Sequence, residues 1–126
     1  MNEELRRAER YAEMGRVDAP TLCMLSGVLL DISSCGCKVR FPMCLEVDTD
    51  KEYELKIHSA RKDYSSAFSL LATVAWTKNL EHSCEIGFNI IRSPSTPYFN
   101  EYIKSLKEEK AALDEEENLL SEFEDA

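Results

Sequence analysis

The sequence predicts a mainly β protein: a small antiparallel barrel, closed or nearly closed, with a short arm or helix before it and a C-terminal helix after it. Three observations carry this. Short runs rich in β-branched, aromatic and aliphatic residues recur between polar turns over residues 17–92. One of them, Glu52 to Ser59, sets Tyr53, Leu55 and Ile57 against Glu54, Lys56 and His58, the period-two alternation of a half-buried strand. From Tyr98 onward the apolar period changes to that of a helix. A closed sheet is expected because closure removes exposed strand edges.

The elements follow in order. Residues 2–14 hold no run of strand formers and stop at Gly15, which predicts a short helix ended by glycine. Ala19 to Ser33 reads as one or two strands broken near Ser26-Gly27, and Cys37 to Val47 as the next, with Pro42 marking an edge or bulge. Phe68 to Thr77 and Cys84 to Ile91 are two further strands, joined by a polar loop through Lys78 and His82. Beyond Tyr98, Phe99, Leu106, Leu113 and Leu120 recur every seven residues, with Tyr102 and Ile103 in the first interval. Lys110 and Glu117 interrupt the stripe, so only the first two turns are expected to cap the barrel. The run Asp114–Glu117 predicts a disordered acidic terminus; a partner-docking helix through Leu119, Leu120 and Phe123 is the rival reading. The organisation read from this is an arm over residues 1–16, a barrel over 17–97, and a helix with acidic tail over 98–126.

The net charge of −9 over 126 residues is unevenly distributed. Residues 99–126 hold ten acidic side chains against three lysines, a net −7, which leaves −2 for the preceding 98 residues. Duplex DNA, RNA and anionic membranes need a broad basic face and are not expected partners; a small dianion needs only a local one. No stretch reaches the roughly eighteen apolar residues of a membrane span, and the N-terminal residues are charged, so a cytoplasmic protein is expected. Five cysteines at scattered spacing predict free thiols rather than a disulfide framework. Cys35, Cys37, Cys44, His82 and Cys84 lack the paired spacing of a zinc knuckle, and the Asp48–Glu52 run lacks the Gly and Glu of a calcium loop, so no metal is expected. No His stands in a spacing that designates a thiol partner, and the chain is not expected to be an enzyme.

Two short motifs remain. Arg6 and Arg10 are one helical turn apart, with Arg7 between them, and a guanidinium is a planar, permanently charged donor fork suited to phosphates or a purine acceptor edge. About twenty residues on, Asp31-Ile32-Ser33-Ser34-Cys35-Gly36 offers a carboxylate that accepts from purine N–H groups, a hydroxyl two residues later, and a glycine for a tight turn or close backbone approach.

In order and separation these motifs resemble the RxxxR and [D/N]xSxxG signatures of the PilZ-domain family. The likeness continues through Gly36–Phe41 and the strand pair Leu71–Trp76 and Cys84–Ile90, covering roughly residues 5 to 106. The resemblance implies a six-stranded antiparallel barrel followed by a helix, acting as a receptor for the bacterial second messenger cyclic di-GMP, without a cofactor and with a downstream protein as partner. Carried onto this chain, it implies that Arg6 and Arg10 bind phosphates and guanine edges, with Arg7 as an auxiliary charge. Asp31 and Ser33 meet a guanine, Gly36 supplies the turn, and Trp76 stacks on a base or on an arginine that does so.

Each residue also has a purely structural reading. The arginines stand among Glu3, Glu4, Glu9 and Glu13 and can form a salt-bridged surface helix, Asp31 and Ser33 can form an Asx-type turn, and a lone Trp in a strand usually packs in a core or at a rim. Two function classes compete with the receptor: a PilZ-like adaptor that binds no nucleotide and works through protein contacts, supported by the helical look of residues 2–14, and an OB-like single-strand binder, for which the basic groove is lacking.

Overall fold

The computed structural model describes residues 9–61, 64 and 67–124. Six strands, β1 (Gly15–Asp18), β2 (Gly27–Ile32), β3 (Gly36–Phe41), β4 (Glu52–Ser59), β5 (Phe68–Asn79) and β6 (Cys84–Ile91), precede one helix, α1 (Thr96–Glu124). The strands close in the order β1-β2-β3-β6-β5-β4, every pair antiparallel. The barrel read from the sequence is thus the observed fold.

Alternation decides what the barrel interior contains. Tyr53, Leu55 and Ile57 of β4, Phe68, Leu70 and Ala72 of β5, and Cys84, Ile86 and Phe88 of β6 point inward and are buried, with Val17, Leu29, Ile32, Val39 and Phe41 from the other three strands. Helix α1 closes one end of the barrel with Phe99, Tyr102, Ile103 and Leu106, all buried. Phe68 anchors the closure, its ring 4.8 Å from Tyr98 and 4.9 Å from Tyr102 between centroids. Those contacts come from the first turns of the helix, as the interrupted stripe requires. The helix nevertheless continues to Glu124 where the composition predicted a disordered acidic terminus, and Lys107 to Glu117 are all exposed.

The expected helix over residues 2–14 is not found in its described part. Residues 9–14 are extended, and Tyr11 makes an isolated antiparallel bridge to Ile32: the Tyr11 N–H donates to the Ile32 carbonyl at 2.7 Å and the Ile32 N–H to the Tyr11 carbonyl at 2.9 Å. Side-chain pairs along a surface helix contribute only a few tenths of a kcal/mol each. Edge pairing to β2 and the tertiary contacts of this arm outweigh them. The other departures are smaller: residues 19–26 form turns rather than a strand, and Pro42 ends β3.

Candidate functional site

Two β-bulges shape the outer surface near the DxSxxG turn. Along β2 and β3, Leu29 pairs with Val39 but Asp31 pairs with Lys38, so Leu30 is an extra residue in the ladder. In an unbroken strand Leu29 and Asp31 would share a face, and Leu29 is buried. The bulge turns the Asp31 carboxylate outward instead. The same device recurs in β5, where Val74 pairs with Phe88 and Trp76 with Gly87, leaving Ala75 over. Without it, alternation from Leu70, Ala72 and Val74 would send Trp76 into the core; with it, the indole is 41% exposed. Extra residues of this kind re-aim side chains and bend the strand that carries them.

The register then lines up one row across four strands: Asp31 beside Lys38, Lys38 beside Gly87, and Gly87 beside Trp76. Three strand spacings make it about 14 Å long. Gly87 is required here, because a Cβ at that position would collide with the Trp76 indole nitrogen and its neighbouring ring carbons. Lys38, absent from the motif reading, is the cation in the row, its Nζ 3.6 Å from Asp31 Oδ2. Outward alternation from the buried Cys37 and Val39 was the signal for it.

Arg10 completes the row from the arm. Its Nη1 donates to Asp31 Oδ1 at 2.7 Å, and its side chain remains 54% exposed. The two motifs, 21 residues apart, therefore meet in space. Arg6 and Arg7 lie outside the described residues. Beyond the turn, a hollow of about 450 Å³ is bounded by Ser34, Ile90, Arg92, Thr96, Phe99 and Asn100.

Ser33 is placed differently from the sequence expectation. It is 1% exposed, and its Oγ accepts from the Gly36 N–H at 3.1 Å and the Cys35 N–H at 3.3 Å while facing the Gly36 carbonyl at 3.3 Å. The hydroxyl is thus committed to building the turn that follows Asp31. Gly36 provides the close backbone approach expected of it. No described glycine has positive φ, but a Cβ on Gly36 would lie 2.7 Å from the Phe88 carbonyl oxygen, so the residue permits close approach of β3 to β6. Burial pushes the Cys37 thiol up to about 12, and the Asp31 charge adds to the shift, so a neutral thiol lies beneath the row. The described residues contain no group of His, Cys, Asp and Glu side chains placed to hold a metal.

The PilZ domain family model matches residues 4–106, and the chain belongs to that family. Among solved structures it is similar to the Bacillus subtilis inhibitor of motility MotI/DgrA, at 14% identity and a TM-score of 0.64, over 83% of this chain and 52% of that one. Two structures of Escherichia coli YcgR with c-di-GMP are also similar. The PilZ domain alone gives 13% identity and a TM-score of 0.60 over 87% of this chain and 97% of that one. The longer YcgR structure gives 13% and 0.56 over 93% and 49%. This chain therefore spans about half the length of MotI/DgrA and of the longer YcgR structure. No curated protein matches it in sequence.

Proposed function

We propose that this protein is a receptor for cyclic di-GMP that binds across the Asp31–Trp76 row and changes its conformation or its affinity for a downstream protein when occupied. The observation that carries the proposal is the Arg10–Asp31 pair, through which the arm of one motif already rests on the turn of the other. A dinucleotide entering here exchanges that internal pair for its own groups: the guanidinium turns to a phosphate or to the guanine O6/N7 edge, and the freed carboxylate accepts from guanine N1–H and N2–H₂. Lys38 adds charge for the phosphates and Trp76 a face for stacking. Arg6 and Arg7 precede Arg10 on the same arm and are proposed to close over the ligand. Ser33 and Gly36 act through the turn, holding Asp31 in place. The family membership and the c-di-GMP carried by both YcgR structures support the same ligand.

A receptor of this kind works by differential affinity for two conformations and needs no chemistry of its own. Three charge-assisted groups near the upper end of about 1.5–3 kcal/mol each, with stacking, reach the roughly −8 kcal/mol of micromolar binding. The nucleotide-free adaptor reading drew on a helical arm, and Glu9 to Met14 are extended. Among the described residues no helix is long and apolar enough to cross a membrane.

The test is a calorimetric titration with cyclic di-GMP, with the linear dinucleotide and a short oligonucleotide as controls. Saturable binding of the cyclic form, weaker binding of the linear one and none of the oligonucleotide are expected. Failure of cyclic di-GMP to bind would leave the adaptor reading; preference for the oligonucleotide would move the protein to the single-strand binders.

A further inference from the structure

The arm is gripped on both sides of Arg10 by groups far away in sequence. On one side the Lys110 ammonium of α1 meets the Glu9 carboxylate. On the other, Glu13 is nearly enclosed, its side chain 11% exposed. Its Oε1 accepts from Arg61 Nε at 2.7 Å and from the Tyr102 hydroxyl at 2.6 Å, and its Oε2 from Arg61 Nη2 at 3.0 Å. Arg61, in the β4–β5 connection, spends its remaining Nη1 on Glu109 of α1 at 2.5 Å. Tyr102 is itself fully buried in the helix seat against Phe68. One carboxylate thus ties together the arm, the β4–β5 connection and the helix that caps the barrel.

Nothing in the recognition of a nucleotide calls for these contacts. None of Glu13, Arg61, Tyr102 or Glu109 belongs to the row or to either motif. Their effect is on the arm: with Tyr11 paired to Ile32 and Glu13 clasped, Arg10 is held within reach of Asp31 before any ligand arrives. The stretch from Glu9 to Glu13 is then partly positioned before binding, which is the usual gain from preorganisation.

Building on the receptor reading, we propose that Glu13, Arg61 and Tyr102 are positioning residues for the nucleotide and that, through Tyr102 and Glu109, they couple occupancy of the Arg10–Asp31 site to the seating of helix α1. The exposed part of α1 from Lys107 to Glu117 is then the element through which occupancy is read. Coupling of this kind is reciprocal. A clasp that improves nucleotide affinity obliges the nucleotide to tighten the clasp, and with it the first turns of the helix, by the same factor.

The experiment compares full-length wild type, Arg61→Met and Tyr102→Phe by calorimetry with cyclic di-GMP and by amide hydrogen exchange with and without it. Tyr102→Phe keeps the buried ring and removes only the hydroxyl, so it reports even where Arg61→Met lowers stability; Arg61→Lys serves as the conservative control. In wild type, cyclic di-GMP is expected to slow exchange in residues 9–14, 31–37 and 99–110. In Arg61→Met, affinity falls five- to tenfold and the slowing at 99–110 disappears while that at 31–37 persists. Tyr102→Phe shows a smaller loss of the same kind, and Arg61→Lys restores part of it. Binding by wild type with unchanged exchange at 99–110, or variants that bind within twofold of wild type, would overturn the coupling and leave the receptor reading intact. Absence of binding by wild type would overturn both.

Discussion

Replacing Asp31 with Ala separates reading a base from shaping a turn. In the ligand-free protein Asp31 takes part in two surface ion pairs, with Arg10 at 2.7 Å and with Lys38 at 3.6 Å, and its side chain is 20% exposed. Pairs of that exposure contribute about 0.2–1 kcal/mol each, reduced further by salt. The turn itself is held by Ser33 and by the pairing of Gly36 with β6, neither of which uses the carboxylate. Asp31→Ala is therefore expected to cost about 1 kcal/mol of stability or less, a melting shift of about 3–5 °C for a domain of this size. Binding is another matter. Guanine offers N1–H and N2–H₂ together to one carboxylate, and a bidentate contact of that kind discriminates by about 1–3 kcal/mol.

The loss should therefore be about 5- to 150-fold for cyclic di-GMP and much smaller for cyclic di-AMP, since adenine presents no such donor pair. The measured ratio understates the contact, because removing Asp31 also releases Arg10 from its internal partner and makes it available to the ligand. Asp31→Asn is expected to lose less than Asp31→Ala, since the amide keeps one acceptor for the guanine edge and the [D/N] position of the motif admits either residue. Calorimetry with both dinucleotides, paired with thermal melts of each variant, provides the comparison. Equal loss for the two ligands, or a melting drop beyond about 5 °C, would show that Asp31 maintains the turn and does not read the base.

Other perturbations address separate parts of the site. Arg10→Ala removes a side chain that is 54% exposed and is expected to leave folding within about 1 kcal/mol while costing about 2 kcal/mol in cyclic di-GMP binding, both accessible by denaturation and calorimetry. Ser33→Ala strips the buried turn of its acceptor for two backbone N–H groups and should lower urea stability by about 1–3 kcal/mol, with any binding loss following from the loosened turn. Acid should release the arm through Glu13, which faces Arg61 from the β4–β5 connection and Tyr102 from α1, with Glu109 behind Arg61. Burial raises its pKa, but the hydrogen bonds from Arg61 and Tyr102 outweigh burial and leave it below the ordinary 4.5. The folded state thus binds fewer protons than the unfolded one. The contribution of Glu13 is complete above that ordinary value and is lost as pH falls through the depressed one. Exchange at residues 9–14 should rise over that acid range in wild type, and Glu13→Gln should diminish the rise, leaving the part that the Glu9–Lys110 pair carries.

Much of the barrel was legible because alternation is a local signal. β4 and β6 fall at Glu52–Ser59 and Cys84–Ile91, the bounds read from the sequence, since β4 buries every second side chain, β6 buries Cys84, Ile86 and Phe88, and both give way to polar residues. The arm was illegible for the converse reason. Its residues favour a helix by propensity and charge spacing, and in the described stretch Glu9–Met14 partners 21, 48 and 89 residues away, Ile32, Arg61 and Tyr102, replace helical contacts. The clasp has no sequence signature at all, for three ordinary side chains at those separations form no motif. The candidate site was half legible. Residue types identified Asp31 and Arg10 as chemically apt, but whether a side chain faces solvent depends on bulges, and an extra Leu30 or Ala75 is indistinguishable from any other strand residue. That is why Trp76 reads as a core residue by alternation and Ser33 reads as a donor that the fold in fact uses internally.

The bulges also explain how a barrel filled with apolar side chains presents this row without weakening its core. Had β2 and β5 been regular, facing Asp31 outward would have turned Leu29 out with it, and facing Trp76 outward would have exposed Val74. Each such exchange exposes a side chain whose burial contributes about 1.5–3 kcal/mol. One inserted residue per strand uncouples the two faces, so the interior keeps its aliphatic filling while the exterior acquires a carboxylate at one end of the row and an indole at the other. Between them the row needs a strand with nothing in the way, which Gly87 provides, and a cation, which Lys38 provides. The positive charge is local: Arg10 and Lys38 lie at the row, whereas most of the net −9 resides in the helix and tail. Affinity for a small dianion depends on that local arrangement of donors within a few ångströms, where charge-assisted bonds act. The helix charges that share a hollow with Arg10 are Glu109 and Lys110, each already paired with Arg61 or Glu9.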